Sequence, residues 1–495
     1  MICCALRAVP SAEEIVHLRA RSPPSWGEQM LNHVRCGGRS KPGSPRQKWL
    51  RSTRQSRSVQ AGRGSMRIRV RQRPRGRRTA LRTGVPLTTL ALAVAGCGAS
   101  VTPGTTTTSL RNTVATQGTP TPGATSPTPS PTGTATAHTA PMATATSCTD
   151  QILAGMTTAQ RVGQLFMGGV NAAKPDQAQL RILRDNHVGS VMLTGRSSAG
   201  TAATRKIVDG FRGQADRVGG KQVGLVVATD QEGGKVQVLN GPGFSAMPNG
   251  VTQGKKSTTM LRAEAAIWAQ QLKRAGVDLN LAPVADVVPA SLGTRNIPIG
   301  SFQREYGNTP GPVTSHTGAF AAGFKQSGVM TTLKHFPGLG QVIGNTDTTA
   351  NVVDSVTTST SASLDPFKSG IQAGSPFVMV SSATYNKIDA QHIAAFSPTV
   401  IGQLLRGQMG FKGVVISDDI GNAVAVRSFT PAQRALNFTS AGGDMILTVR
   451  PDVIPAMAQA IQTRMGQDAS YRAKIDDSVR RILDAKHNAG LLQCS

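Results

Sequence analysis

Carboxylates are in short supply in this chain of 495 residues: 26 Asp and Glu face 54 Lys and Arg, a formal charge of +28. That imbalance would point to a nucleic-acid binder only if it were spread over a folded surface. It is not. Of the 54 basic residues, 20 lie at or before Arg82 beside just Glu13, Glu14 and Glu28, so 17 of the 28 net charges sit there. The other 34 basic and 23 acidic residues leave +11, an ordinary solvated surface, and no nucleic-acid partner is expected. Apolar length is lacking as well. The stretch VPLTTLALAVAG, at 85 to 96, is about half of what a bilayer-spanning helix needs. Cysteine is nearly absent from the part that folds, because Cys3, Cys4, Cys36 and Cys97 precede it and only Cys148 and Cys494 remain.

What is there fits export. An Arg-rich run from Met66 to Arg82 precedes the short apolar stretch, and Val94-Ala95-Gly96-Cys97 offers the small residues that a signal peptidase requires. Residues 66–96 are therefore expected to be a signal peptide, and the tetrad resembles the lipobox of bacterial lipoproteins, in which the cysteine carries the lipid. Residues 1–65, without apolar periodicity, read as an upstream extension. Residues 97–147 are rich in Thr, Pro, Ala, Gly and Ser, too poor in apolar surface to offset chain entropy, and are expected to be a disordered tether. A chain lipid-anchored to the outer face of a membrane can form a disulfide, and the two ends of a closed fold lie close together, so Cys148 and Cys494 are expected to pair.

From residue 148 to 495 short apolar runs alternate with helical segments such as 258–276. The runs are 164–170, 188–193, 223–230, 277–287, 329–336, 377–382, 413–419 and 444–449. Apolar strands separated by helices imply a parallel sheet covered by helices, and eight of them imply closure into one α/β domain, a (β/α)8 barrel. An open doubly wound sheet is the alternative. Several runs end in polar clusters: Asp230-Gln231-Glu232, Asp286, Lys334-His335 and Asp418-Asp419. In such barrels the C-terminal strand ends form the active face, so these groups should converge on one mouth.

Glycoside hydrolysis with retention needs a carboxylate to attack the anomeric carbon and a proton donor for the leaving oxygen. Asp418, directly after Val414-Val415-Ile416-Ser417, suits the first role. On an extended backbone Asp419 would point to the opposite face. Alone, such a pair could equally ligate a metal or cap a helix.

The motifs around it are more specific. The run LLRGQMGFKGVVISDDIG (404–421) resembles the nucleophile signature of glycoside hydrolase family three, KHFPGLG (334–340) resembles its KHFPGHG segment, and TDQEGGKVQ (229–237) resembles its DQEGGRVQ. The likeness extends through MTTAQRVGQLF (156–166), LAPVADV (281–287), LDPFKSGIQAG (364–374) and AGGDMILT (441–448). It implies Asp418 as nucleophile, Asp230, Lys334 and His335 as sugar-binding residues, and Arg304, in a loop longer by two residues than the family's, as another. Within the family, a barrel without a following sandwich domain and with KHFPG is similar to the bacterial β-N-acetylglucosaminidases, whose acid/base is a histidine two residues after an aspartate. Here Asp347 holds the place of the aspartate, but Thr349 replaces the histidine. A threonine hydroxyl is no general acid near neutral pH, so Asp347, with its pKa raised in an apolar loop, is the expected donor. His392 is a second candidate, more simply read as a surface histidine. Leu339 replaces the second histidine of KHFPGHG, Ser382 falls where relatives often have histidine, and Val238 where they have arginine. Gly338 and Gly340 are expected to let the loop turn sharply.

The resemblance implies a retaining exo-β-N-acetylglucosaminidase, or β-N-acetylhexosaminidase, acting on peptidoglycan fragments, monomeric, without cofactor or metal, and anchored to the membrane through its lipid. The alternatives are a sugar-binding lipoprotein weakened by loss of the histidine, and a related β-glucosidase or β-xylosidase.

Overall fold

Eight short strands run parallel in the computed structural model, which describes residues 147–493. The extension, the signal peptide, the tether up to residue 146 with Cys97, and Cys494 all lie outside the described residues. The strands are β1 (Phe166–Asn171), β2 (Ser190–Thr194), β3 (Val226–Thr229), β4 (Leu279–Asn280), β5 (Met330–Phe336), β6 (Phe377–Val380), β7 (Val414–Ser417) and β8 (Ile446–Thr448), one in each of the eight apolar runs. Neighbours in sequence are neighbours in the sheet. Strand β8 pairs with β1, Phe166 opposite Ile446, and a bridge between Ile416 and Met445 joins β7 to β8 and closes the ring. The expected (β/α)8 barrel is therefore the fold.

Two expected strands differ in extent. Helix α2 (Thr158–Gln164) is started by a capping box, the Thr157 hydroxyl accepting from Gln160 N and the Gln160 side chain from Thr157 N, and it continues through Gln164 before β1 begins. In the long run 277–287 only Leu279–Asn280 forms a regular strand. Pro283 has no N–H to give to a ladder, and the backbone beyond it pairs with β5 only at the bridge Val284–Lys334. That departure carries Asp286 behind the end of β5, where it is fully buried.

Helices cover the outside: α3 (Gln177–Asp185), α4 (Gly200–Arg212), α5 (Thr258–Arg274), α6 (Pro310–Gln326), α7 (Asp365–Gln372), a π-helix (Thr399–Gln408), α8 (Pro431–Ser440) and α9 (Ile454–Gln467). Helix α5 starts at the Ser257 cap, whose hydroxyl accepts from Met260 N, and buries Leu261, Ala265, Trp268 and Leu272. Trp268 meets Phe320 of α6 with ring centroids 6.2 Å apart.

The last helix, α10 (Ala469–Asn488), lies across the N-terminal ends of the strands as a floor. Its Arg481 donates to Asp444 before β8 at 2.7 Å, and its buried Lys486 donates to Gln164 before β1 at 2.5 Å. The chain beyond it meets the segment before β3, Gly224 N donating to Leu491 O at 2.9 Å. Helix α1 (Cys148–Gly155) packs on α10, and Cys148 is disulfide-bonded. Among the described residues no helix is long and apolar enough to cross a membrane.

Candidate active site

At the C-terminal ends of the strands the barrel opens into a pocket of about 400 Å³. Asp230, Arg304, Lys334, His335, Asp347 and Asp418 all line it, so residues up to 188 positions apart in sequence share one wall system.

One wall is a chain of alternating charge. Lys334, the fifth residue of β5, donates to Asp230, just past β3, at 2.6 Å and pairs with Glu232 at 2.6 Å. Arg304 holds Glu232 with two parallel hydrogen bonds, Nε to Oε2 at 2.8 Å and Nη2 to Oε1 at 2.7 Å. Its Nη1 donates to Pro298 O at 2.9 Å, and its Nη2 lies 3.3 Å from His335 Nε2. The other ring nitrogen, Nδ1, is 2.7 Å from Asp286 Oδ2, while Asp286 Oδ1 accepts from His335 N and Leu339 N at 3.2 and 2.7 Å. Burial alone would raise the Glu232 carboxyl, but Arg304 and then Lys334 outweigh it and hold that carboxyl below the usual carboxylate range. The same pairing reverses the downward pull of burial on Lys334 and Arg304, whose pKa values are raised.

The turn that presents this wall is a backbone matter. Gly338 has φ near +129°, and a Cβ on Gly340 would stand 1.8 Å from Val287 O. Leu339, where the likeness leads one to expect a histidine, is buried and lines the pocket floor with Met192, Leu281, Met379 and Leu447. Val238 and Ser382 are buried outside the lining, and the Ser382 hydroxyl has no hydrogen-bond partner.

The opposite wall carries two further carboxyls. Asp418 follows β7, its N–H donating to Val380 O of β6 at 3.0 Å. Asp347 stands on a loop docked against the turn that follows Asp418: Ala425 N donates to Thr346 O at 3.0 Å and Val424 N to Asp347 O at 3.1 Å. Although Asp347 as a residue is exposed, its carboxyl faces the pocket. Crowding by protein, then the charge of Asp418, push its pKa up to about 6, against the pull of His335 and Arg304. Thr349 is exposed and outside the lining, its N–H donating to Asn345 O at 2.8 Å. His392 is exposed in the strand Asp389–Ile393, paired with Asp389 at 3.0 Å and likewise outside the lining.

Asp419 corrects the expectation that it would turn away from the pocket, because it too lines the wall. Strand β7 stops at Ser417, so the alternation of a strand no longer applies. One oxygen of Asp419 accepts from Gly421, Asn422 and Val449 N–H groups, which makes it the organiser of the turn. Burial and the neighbouring Asp418 raise its pKa to about 6. Sequence reasoning assigns no role to Glu232 or Asp286, although both stand inside motifs that carry the family likeness. Asn345 and Asn422, which also reach the pocket, carry no signal in the sequence, and Phe302, which reaches it too, stands in the loop that brings Arg304.

Two carboxyls lining one pocket, one of them with its pKa raised partly by the other, beside a wall of polar and charged groups, can cleave a glycosidic bond. Among the described residues no group of three or more His, Cys, Asp or Glu is placed to hold a metal ion.

Comparison with known proteins agrees. A beta-hexosaminidase of Xylella fastidiosa strain M23 is 35% identical over 317 residues, 62% of this chain and 89% of that protein. One of Xanthomonas axonopodis pv. citri is 33% identical over 290 residues, 57% and 82% respectively. Among solved structures, the beta-N-acetylhexosaminidase of Beutenbergia cavernae matches with 47% identity and a TM-score of 0.66, covering 67% of this chain and 99% of that one. A glycoside hydrolase family 3 beta-N-acetylglucosaminidase from a Paenibacillus species matches with 27% identity and a TM-score of 0.61, covering 68% and 63%. With residues 157–485 matching the model of the glycosyl hydrolase family 3 N-terminal domain, the chain belongs to that family and is a glycoside hydrolase.

Proposed function

We propose that this enzyme is a retaining exo-β-N-acetylglucosaminidase that removes terminal β-linked N-acetylglucosamine from cell-wall fragments, with Asp418 as nucleophile and Asp347 as proton donor. The observation that carries the reading is the pair of carboxyls on one wall of the pocket, one of them with a pKa raised to about 6 partly by the other. A carboxyl with a raised pKa is suited to give a proton: Asp418 attacks C1 from below while Asp347 gives its proton to the leaving oxygen, then takes one from water. Asp230, Lys334 and Arg304 hold the hydroxyls of the terminal sugar, and His335 stands in the same wall, its two ring nitrogens engaged by Arg304 and Asp286. The names of the relatives support the amino-sugar preference.

Export belongs to the same reading: cleavage before Cys97, lipid on that cysteine, and a Cys148–Cys494 cross-link joining the first and last turns of a monomeric domain. The floor supports the last point, since α1 packs on α10 and Leu492, two residues before Cys494, bridges to Val223 on that same side of the barrel.

Purified protein should hydrolyse an aryl N-acetyl-β-glucosaminide faster than the matching glucoside, and should also cleave N,N′-diacetylchitobiose. Asp418→Asn should leave the fold intact and reduce turnover by at least about 1000-fold. A folded Asp418→Asn enzyme that kept more than a few per cent of its activity would move the nucleophile elsewhere. Turnover of the aryl substrate alone would favour the weakened sugar-binding protein.

A further inference from the structure

Arg304, Lys334 and His335 face the pocket, but the two carboxylates that hold them do not line it. Glu232 is 7% exposed and Asp286 not at all. Counting donors shows what these two acids leave available. A guanidinium has five N–H groups and no acceptor. In Arg304 two go to Glu232, one to Pro298 O and one to His335, which leaves a single Nη1 hydrogen. Lys334 has three, of which Asp230 and Glu232 take one each, so again one is left. His335 Nε2 faces an obligatory donor, so it must carry the lone pair, and the ring proton must sit on Nδ1 and be given to Asp286.

We infer that Glu232 and Asp286 are the positioning residues of the sugar-binding wall: Glu232, together with Pro298 O, His335 and Asp230, leaves Arg304 and Lys334 one directed donor each, and Asp286, together with Arg304, fixes His335 as the Nδ1–H tautomer. The inference rests on the reading of this pocket as the site for the terminal amino sugar. Because the Arg304–His335 contact joins the two halves, the wall behaves as one unit and offers the sugar a fixed pattern of two donors. A third group, Asp230, has one oxygen engaged with Lys334 and the other open as an acceptor. Positioning of this kind acts on the glycone, so its loss is felt equally whatever the leaving group, unlike the loss of a proton donor.

The test uses the purified chain. Glu232→Gln should lower kcat/KM about 100-fold on the aryl substrate and on N,N′-diacetylchitobiose alike, and should weaken calorimetric binding of N-acetylglucosamine by a similar factor. Glu232→Asp keeps the charge and should recover at least about a tenth of wild-type kcat/KM. It also carries the comparison where the glutamine variant does not fold, since breaking a buried pair is costly. Long-range ¹H–¹⁵N spectra should find the His335 proton on Nδ1 in the wild type. This readout needs no substrate, so it stands even if the enzyme proves to act on a different sugar. Binding of N-acetylglucosamine by Glu232→Gln within about threefold of wild type would overturn the role of Glu232. A wild-type His335 protonated on Nε2 would overturn that of Asp286.

Discussion

Thr349 marks where this pocket departs from the pattern that its other residues follow. Its hydroxyl cannot supply a proton, while Asp347, two residues earlier, lines the pocket and feels the charge of Asp418. Asp347→Ala should therefore lower kcat/KM on N,N′-diacetylchitobiose by about 100-fold to 1000-fold, and on an aryl substrate with a good leaving group by no more than about tenfold. Equal losses on both would remove Asp347 from the donor's role. The sign of the pH dependence follows from its pKa of about 6. Below that value the donor carries its proton; above it, wild-type kcat/KM on the disaccharide should fall roughly tenfold per pH unit, and the alanine variant should lose this descending limb. Asp418, Asp230, Lys334 and His335 are legible in the sequence because each sits inside a contiguous motif. Glu232 and Asp286 sit in such motifs too and read as polar strand ends at the same mouth, but their roles are not legible, since what each does depends on a partner 72 or 49 residues away.

The elements themselves are nearly all readable. Each apolar run holds one strand because strands buried on both faces leave continuous apolar text, and the helical pattern of α5 runs on only two residues past the helix itself. What the text hides is irregular: the proline that cuts β4 short, the end of β7 that turns Asp419 inward, and the floor helix. In α10 the buried Lys486 has its pKa lowered by burial to about 7, even though Asp216 and Asp278 oppose the shift. Below about 7 the ammonium is charged in folded and unfolded chains alike, and its desolvation cost is fully present. Between about 7 and its ordinary value of 10.5 the unfolded chain binds more protons, so stability should rise with pH. The gain should be a few kcal/mol, on the order of 1.4 for each tenfold difference in proton affinity between the two states. Urea midpoints of wild type and Lys486→Met between pH 7 and 10 test this: only the wild type should gain. Parallel gains would mean that Lys486 binds its proton normally.

For the molecule as a whole, the proposed reading separates an address from a catalyst. The net charge of +28 describes mostly the segment up to Arg82, and the part that folds is close to ordinary. If Cys97 carries the lipid, wild-type enzyme should sediment with membranes, and Cys97→Ser should appear in the medium with unchanged kcat/KM; a wild-type enzyme that is itself released would rule out the anchor. The loop bearing Asp347 adds a consequence of its own. Two backbone hydrogen bonds tie it to the turn that follows Asp418, so both of the carboxyls proposed to react ride on one mechanical piece of the barrel rim. Nothing in that linkage can loosen without the rim loosening too. Heat should therefore extinguish turnover and melt the barrel within the same few degrees, with no window in which a folded enzyme has gone silent.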